Sequence, residues 1–281
     1  MVLHKTALVL LLALVPLQAA IVLRSELTLE RAAAPGEQYA GSIEISNSAA
    51  APQRVHIYKT DFRSTAEGES IYNTPNGTGR SNAGWIDYSP EHATLPAHGV
   101  LTIPYTVQVP PQDSLDGSYW CVLMIEPEDD IIPLQQVNTL QIHSRIRYAV
   151  KVVTNVHTGR RQLDFLESRV LERDGETLLQ VDAGNSGTAA FKAVLTLQLF
   201  DSAGQNAGTF TAPYQSLYPG SARRFEIGLP HELSGKFKAL LTADCGEEAL
   251  FGITFTLDMD EPVHPDRPNG SVTSTHESHG K

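Results

Sequence analysis

The chain carries one β-rich unit twice. In its first half Leu95-Pro96 precedes a run ending in Val109-Pro110, after which Gly117-Ser118-Tyr119 opens an apolar stretch. In its second half Leu217-Tyr218-Pro219 precedes a run ending in Leu229-Pro230, after which Gly235-Lys236-Phe237 opens another. Upstream of each, an Asn-Ser pair follows a strand-like segment: Asn47-Ser48 after Ile43-Glu44-Ile45, and Asn185-Ser186 after Leu179-Gln180-Val181. Duplication at this spacing restricts the chain to two tandem copies of one supersecondary arrangement.

The first residues read as a leader, not as part of the fold. His4-Lys5, an apolar run from Ala7 to Val15, Pro16 and the small pair Ala19-Ala20 follow the order of a secretory signal peptide. The apolar run is too short to span a bilayer, and no later segment is long and apolar enough. The mature chain is therefore expected to be exported, to the periplasm or cell envelope, without a transmembrane segment. A net charge of −11 argues against a nucleic-acid partner. The two cysteines, Cys121 and Cys245, fall in different units, so neither unit holds an internal disulfide. Cys121 is expected as a small apolar residue in a buried strand; Cys245, just before Gly246, is expected to be more exposed.

Beyond the leader, short alternating runs separated by Gly, Pro, Asn and Asp predict strands. The first unit offers 22–29, 41–46, 53–62, 100–109, 119–126 and 140–153. The second offers 163–172, 177–182, 191–201, 208–212, 222–228, 236–243 and 250–257. About seven strands per unit suits an immunoglobulin-like sandwich. The expected organisation is all-β: a signal peptide over 1–20, one immunoglobulin-like sandwich over 21–157, a second over 158–258, and a disordered tail over 259–281. The aromatic after each Gly-x, Tyr119 and Phe237, should close a corner and bury its ring. Asp201-Ser202-Ala203-Gly204 reads as a hairpin turn. Segment 64–84 reads as a long loop or short hairpin with no counterpart in the second unit.

Catalytic and metal motifs are sparse. Gly77-Thr78-Gly79 lies in a loop, outside the strand-to-helix setting that a phosphate needs. His276 and His279 have ligand spacing but fall in the polar tail, and the other histidines form no ligand pattern. The acidic run 126–130 lacks the alternating ligands of a calcium loop and reads as a solvated turn. Asn76-Gly77-Thr78 and Asn269-Gly270-Ser271 match glycosylation triplets, which matter only in a eukaryotic source. No cofactor, no metal and no enzymatic activity are expected.

One stretch, 138–150, has patterning that suggests a binding role. Leu140, Ile142, Ile146, Tyr148 and Val150 alternate on one face, with Arg145 and Arg147 on the other. A last strand is often a sheet edge, which can accept a foreign strand. An arginine there either takes a partner's carboxylate bidentately or guards the edge against aggregation.

In this stretch, and in Ile45-Ser46-Asn47 after Pro35-Gly36, Leu95-Pro96, Pro111-Gln112-Asp113 and Glu126-Pro127, the first unit resembles the N-terminal domain of PapD-like periplasmic pilus chaperones. The resemblance covers roughly residues 22–155. It implies two immunoglobulin-like domains that complete pilus subunits by lending them an edge strand. It also implies a basic pair gripping the subunit's C-terminal carboxylate. On matching positions Arg145 carries one basic role, with Leu140, Ile142 and Ile146 as donor-strand candidates and Arg147 beside them. The second basic residue should fall near Leu29; Arg31, two residues on, shares that strand face. The second unit, through Leu217-Tyr218-Pro219-Gly220-Ser221 and Gly235-Lys236-Phe237, looks more like the second domain of surface proteins that partner WxL cell-wall proteins. The implied partners are secreted or pilus-type protein subunits. The alternative is an adhesion or cell-wall-binding module that takes envelope glycan through its 64–84 insertion.

Overall fold

The computed structural model describes residues 20–128 and 146–259. The leader through residue 19, the stretch 129–145 and the tail from 260 lie outside them. The described chain is all-β, two immunoglobulin-like sandwiches in tandem.

The first unit contains β1 (Ile21–Leu23), β2 (Thr28–Ala32), β3 (Gln38–Asn47), β4 (Gln53–Ser64), β5 (Ser70–Asn73), β6 (Ile86–Tyr88), β7 (His92–Leu95), β8 (Val100–Gln108), β9 (Gly117–Glu128) and β10 (Tyr148–Val156). One sheet runs β1-β3-β8-β6 and the other β2-β10-β9-β4-β5, with β7 also on β4. The second unit contains β11 (Leu163–Arg173), β12 (Glu176–Asn185), β13 (Phe191–Phe200), β14 (Asn206–Thr211), β15 (Gln215–Leu217), β16 (Ala222–Leu229), β17 (Lys236–Asp244) and β18 (Leu250–Asp258). Its sheets run β11-β12-β16 and β14-β13-β17-β18, with β15 on β13.

Alternation places the cores. Tyr119, Cys121, Leu123 and Ile125 of β9 face Ile43, Ile45 and Ile103 inside the first sandwich. Leu195, Leu197 and Leu199 of β13 do the same in the second, against Leu179, Phe225 and Leu241. The corner aromatics behave as expected: Tyr119 and Phe237 are buried, and the Asp116 amide donates to the Tyr119 hydroxyl at 3.4 Å. Each follows a glycine with positive φ, +82° at Gly117 and +87° at Gly235, a conformation that side chains with a Cβ rarely adopt.

The repeated Asn-Ser and Leu-Pro signals prove to be one device built twice. Asn47 Nδ2 donates to the carbonyls of Ala51, Leu95 and Pro96, and its Oδ1 accepts from the Ala49 amide. Asn185 Nδ2 donates to Ala189 and Leu217, and its Oδ1 accepts from Gly187. Both asparagines are buried, so each satisfies carbonyls that water does not reach. The following turns match too: Gly99 N donates to Pro96 O and Ser221 N to Tyr218 O, with positive φ at His98 and Gly220.

Several sequence expectations are corrected. Segment 22–29 is not one strand: β1 pairs β3 in one sheet and β2 pairs β10 in the other, so the chain changes sheets between them. The turn is held by Arg24 N donating to Glu44 O and by Ser25 Oγ accepting from Glu44 N. Residues 126–128 are strand, not solvated turn. Pro127 pairs Val55 of β4, at a point where β10 no longer flanks β9, so its missing N–H breaks no ladder bond. The described strands number ten and eight, not seven each, because β5, β6, β7 and β15 are short additional pieces. Of the two readings of segment 64–84 the short hairpin holds: β5 pairs back on β4, and a single 3-10 turn follows at Ala83–Trp85. Cys245 is buried, not exposed: it packs into the second core beyond β17.

Two outcomes are expected. Asn47→Ala and Asn185→Ala should each cost the mutated unit about 2–3 kcal/mol by leaving buried carbonyls unpaired; denaturant midpoints measure this. Cys121 and Cys245 are free, and burial pushes both thiols up to about 12. Neither should react with a thiol reagent at pH 8 in the folded state, because the thiolate is the nucleophile; both should react in denaturant.

Candidate functional site

The outer face of the sheet containing β9 is apolar where a solvated face would be polar. Trp120, Val122 and Met124 of β9 point away from the sandwich core, joined by Phe62 of β4 and Val153 of β10. A free sheet face of that kind invites association. The second unit covers part of it with Tyr218, which is only 5% exposed. The Tyr218 ring lies 4.9 Å from the Trp120 ring and 6.1 Å edge-on from the Phe62 ring. Burial pushes its hydroxyl up to about 12, against a hydrogen bond from Thr28 that opposes the shift.

Polar bonds fix the docking angle around this cluster. Ser118 N donates to Thr188 O at 2.8 Å, Thr188 Oγ1 to Asp116 Oδ2 at 2.8 Å, and Ala190 N to Ser118 Oγ at 2.8 Å. Backbone meets backbone so closely here that side chains are excluded. A Cβ on Gly117 would stand 2.0 Å from the Thr188 carbonyl oxygen. One on Gly187 would stand 2.1 Å from that of Arg160.

Strand register decides which predicted residues share the cleft. β2 and β10 are parallel, with Thr28 beside Lys151, Leu29 beside Val152, Glu30 beside Val153 and Arg31 beside Thr154. Val152 and Leu29 belong to the inner core, so Arg31 lies on the inner side as well. It sits 4.9 Å over the ring of Tyr39 and 3.8 Å from Glu37. Thr28 and Glu30 line the cleft. The structure thus does not bring Arg31 together with Arg147. Arg147 is exposed and hydrogen-bonds the Tyr58 hydroxyl, which also donates to Glu126 Oε2 at 3.0 Å. Ile146 is exposed, whereas Leu140, Ile142 and Arg145 lie outside the described residues. Nor is β10 an edge along its whole length: β2 covers Lys151 to Asn155, and no described strand flanks Tyr148 to Val150 on the side away from β9.

Sequence reasoning missed the residues that build the cleft. Lys151, two places beyond Ala149, shares the outer face with Val153, and strict alternation from Arg147 would have found it. Burial, then the charge of Arg223 on β16, pulls the Lys151 ammonium below the usual lysine range. Tyr218 had a signal too. It stands in the second copy of the motif where the first copy has Pro96, a turn position with no reason of its own to carry an aromatic.

The 64–84 insertion is folded back onto the first unit and touches the second at Ser64. Asp61, buried at its root, accepts from the amides of Asn76, Gly77 and Thr78. Arg80 reaches back to Asp116 O at 2.8 Å, and its own carbonyl takes the Trp120 amide. Ser64 Oγ donates to Ala222 O of the second unit. On the other flank an open cleft of about 780 Å³ separates Leu27 and Glu30 from Lys192 and Tyr214.

Gly117→Ala should therefore cost about 2–4 kcal/mol through positive φ and collision with Thr188. Because the damage lies between the units, its calorimetric unfolding should separate into two transitions; a single wild-type-like transition would contradict the interface described.

No family model matches the chain, and no curated protein matches it in sequence. Solved structures do match it in backbone. The class 5 fimbriae chaperone CfaA shares 13% identity, covering 84% of this chain and 98% of its own, with a TM-score of 0.46. A chain from the CsuC–CsuE chaperone–tip adhesion subunit complex of Acinetobacter baumannii shares 12%, covering 83% and 98%, at 0.42. The Pseudomonas aeruginosa CupB2 chaperone shares 11%, covering 83% and 98%, at 0.40.

Proposed function

We propose that the protein is an exported, non-enzymatic assembly chaperone that captures β-rich pilus-type subunits through the open flank of β10 and the sequence leading into it. The observation that carries this reading is the uncovered flank of β10. From Tyr148 to Val150 no described strand pairs it on the side away from β9, and its core-facing residues Tyr148 and Val150 are anchored. A subunit strand added there would gain main-chain ladder bonds, with side-chain specificity from alternate positions. Arg147 and Lys151 would make this face attractive to an acidic terminus, with Arg145 as the grip that the sequence resemblance implies. The described residues include no helix long and apolar enough to cross a membrane, which is compatible with work in the periplasm or envelope. The glycan-binding alternative is less well supported, because the polar residues of the insertion it relied on are spent on bonds within the first unit.

The test is capture of native envelope material by the tagged mature chain, with Arg145→Ala and Ile142→Asp alongside. A stoichiometric small β-rich subunit is expected, retained at least about tenfold less by Arg145→Ala, the scale of a lost charge-assisted bond. A melting curve distinguishes an unfolded Ile142→Asp from a folded variant that no longer donates. Recovery of glycan, or of a surface protein held equally by Arg145→Ala, would overturn the reading.

A further inference from the structure

β18 is an edge of a kind the other sheets avoid. It spans Leu250–Asp258 and ends its sheet beyond β17, and no described strand pairs its other flank. From Leu250 to Leu257 it carries no charge and no proline. The strands that end the other sheets are guarded. β1, β5 and β6 are three or four residues long. β2 carries Glu30 and Arg31, and β16 carries Arg223, Arg224 and Glu226. β11 carries Glu167 and Arg169 and is broken by a bulge between Phe165 and Glu167. β14, at the far end of the sheet that β18 closes, is shorter, and its register with β13 shifts at Leu199/Phe200. Short length, charge and bulges are the devices that keep a strand edge from pairing with another chain. β18 has none of them along that run.

The phase of the hydrogen-bond ladder shows what the open flank offers. Cys245 N donates to Ala249 O at 2.9 Å and Met259 N to Gly235 O at 3.0 Å, just beyond the two ends of the β17–β18 pairing. Between them Phe251, Ile253, Phe255 and Leu257 therefore turn their N–H and C=O groups toward β17, and Gly252, Thr254 and Thr256 turn theirs outward. These last three residues are exposed. Phe251, Ile253 and Phe255 face the core yet are only partly buried, so the core is left incomplete along this edge.

We propose that the β18 edge pairs antiparallel with β18 of a second copy of this chain, about a two-fold axis at Thr254. The strand is self-complementary in that register. Thr254 meets the partner's Thr254, and Gly252 meets the partner's Thr256, each through outward N–H and C=O groups. On the core side Ile253 meets the partner's Phe255, and Phe251 meets the partner's Leu257, so apolar side chains stand opposite apolar ones. No like charges face each other along the run. A strand that pairs with itself about a two-fold axis closes at two copies. It joins two sheets into one and covers the half-buried rings at both edges. The contact lies on the second unit and leaves the open flank of β10 untouched.

The test is sedimentation of the full mature chain over a range of concentrations, with hydrogen exchange read residue by residue. Thr254→Lys and Thr254→Glu run alongside, and Thr209→Lys, exposed on β14 at the other end of the sheet, is the control. The wild type is expected to form a dimer. The amides of Thr254 and Thr256 should exchange more slowly as concentration rises, while those of Ile253 and Phe255 are slow throughout. Either Thr254 variant alone should weaken the dimer about fivefold or more, because like charges then face each other across the axis. The control should associate as the wild type does, and an equimolar mixture of Thr254→Lys and Thr254→Glu should dimerise again. A wild type that stays monomeric up to about 100 μM, a dimer indifferent to both Thr254 charges, or a dimer whose Thr254 amide still exchanges freely would overturn the proposal. So would a monomer that holds a strand of another envelope protein on β18. Wild-type sedimentation and exchange decide even if a variant fails to fold, and neither depends on subunit capture.

Discussion

The contact between Tyr218 and the outer face of the first sheet is what the rest of the molecule depends on. Either sandwich has its own core and would close without the other. The cleft has no such independence. Phe62, Trp120 and Val153 are buried there because an aromatic from the second unit lies on them, and aromatic pairs at these separations contribute on the order of 1 kcal/mol beyond their burial. Around the rings, Ser118, Thr188 and Asp116 convert an apolar contact of loose orientation into one of fixed angle. Directional bonds at the rim and shape at the centre divide the work as they do in protein–protein interfaces.

The fold was legible in the sequence because its signals are local. Alternation along β9 and β13, the positive-φ glycines before Tyr119 and Phe237, and the asparagines ending β3 and β12 each act within a few residues of themselves. The duplication multiplied their weight. What could not be read was anything decided by pairing between distant strands. Arg31 shares a strand face with Leu29, as the pattern said, but only the parallel register with Thr154 shows that this face is the interior. Cys245 looked exposed because it follows a strand and precedes a glycine; the closing hydrogen bond from its amide to Ala249 O folds it back onto the core. Segment 64–84 read from composition as a long loop or short hairpin, and what composition could not show is that its polar residues are spent internally, on Asp61, Asp116 and Trp120.

Charge is distributed unevenly between the two faces of the molecule. On the outer face of the second unit's smaller sheet, acids and bases alternate in pairs: Asp182 with Arg224, Glu226 with Arg173 and Gln180. The more exposed Arg173–Glu226 pair adds little stability, whereas Asp182 is buried against Arg224. On the outer face of the first unit's larger sheet Lys151 lies over the ring of Phe62 in place of a carboxylate.

The parallel pairing of β2 with β10 has a consequence for how the first unit comes into being. It joins a strand near the start of the unit to the strand that ends it, and the Asn155–Glu30 bond beside it spans 125 residues. Loop-closure entropy must be overcome before so distant a contact returns anything, and topologies rich in such contacts fold slowly. The sheet that presents the apolar outer face is thus among the last parts of the unit to be completed. Until then the flank of β10 that β2 covers stays open, and Trp120 and Val122 lack the second unit above them. The newly made chain therefore passes through a stage in which its own exposed strands resemble the aggregation-prone species that a chaperone exists to shield.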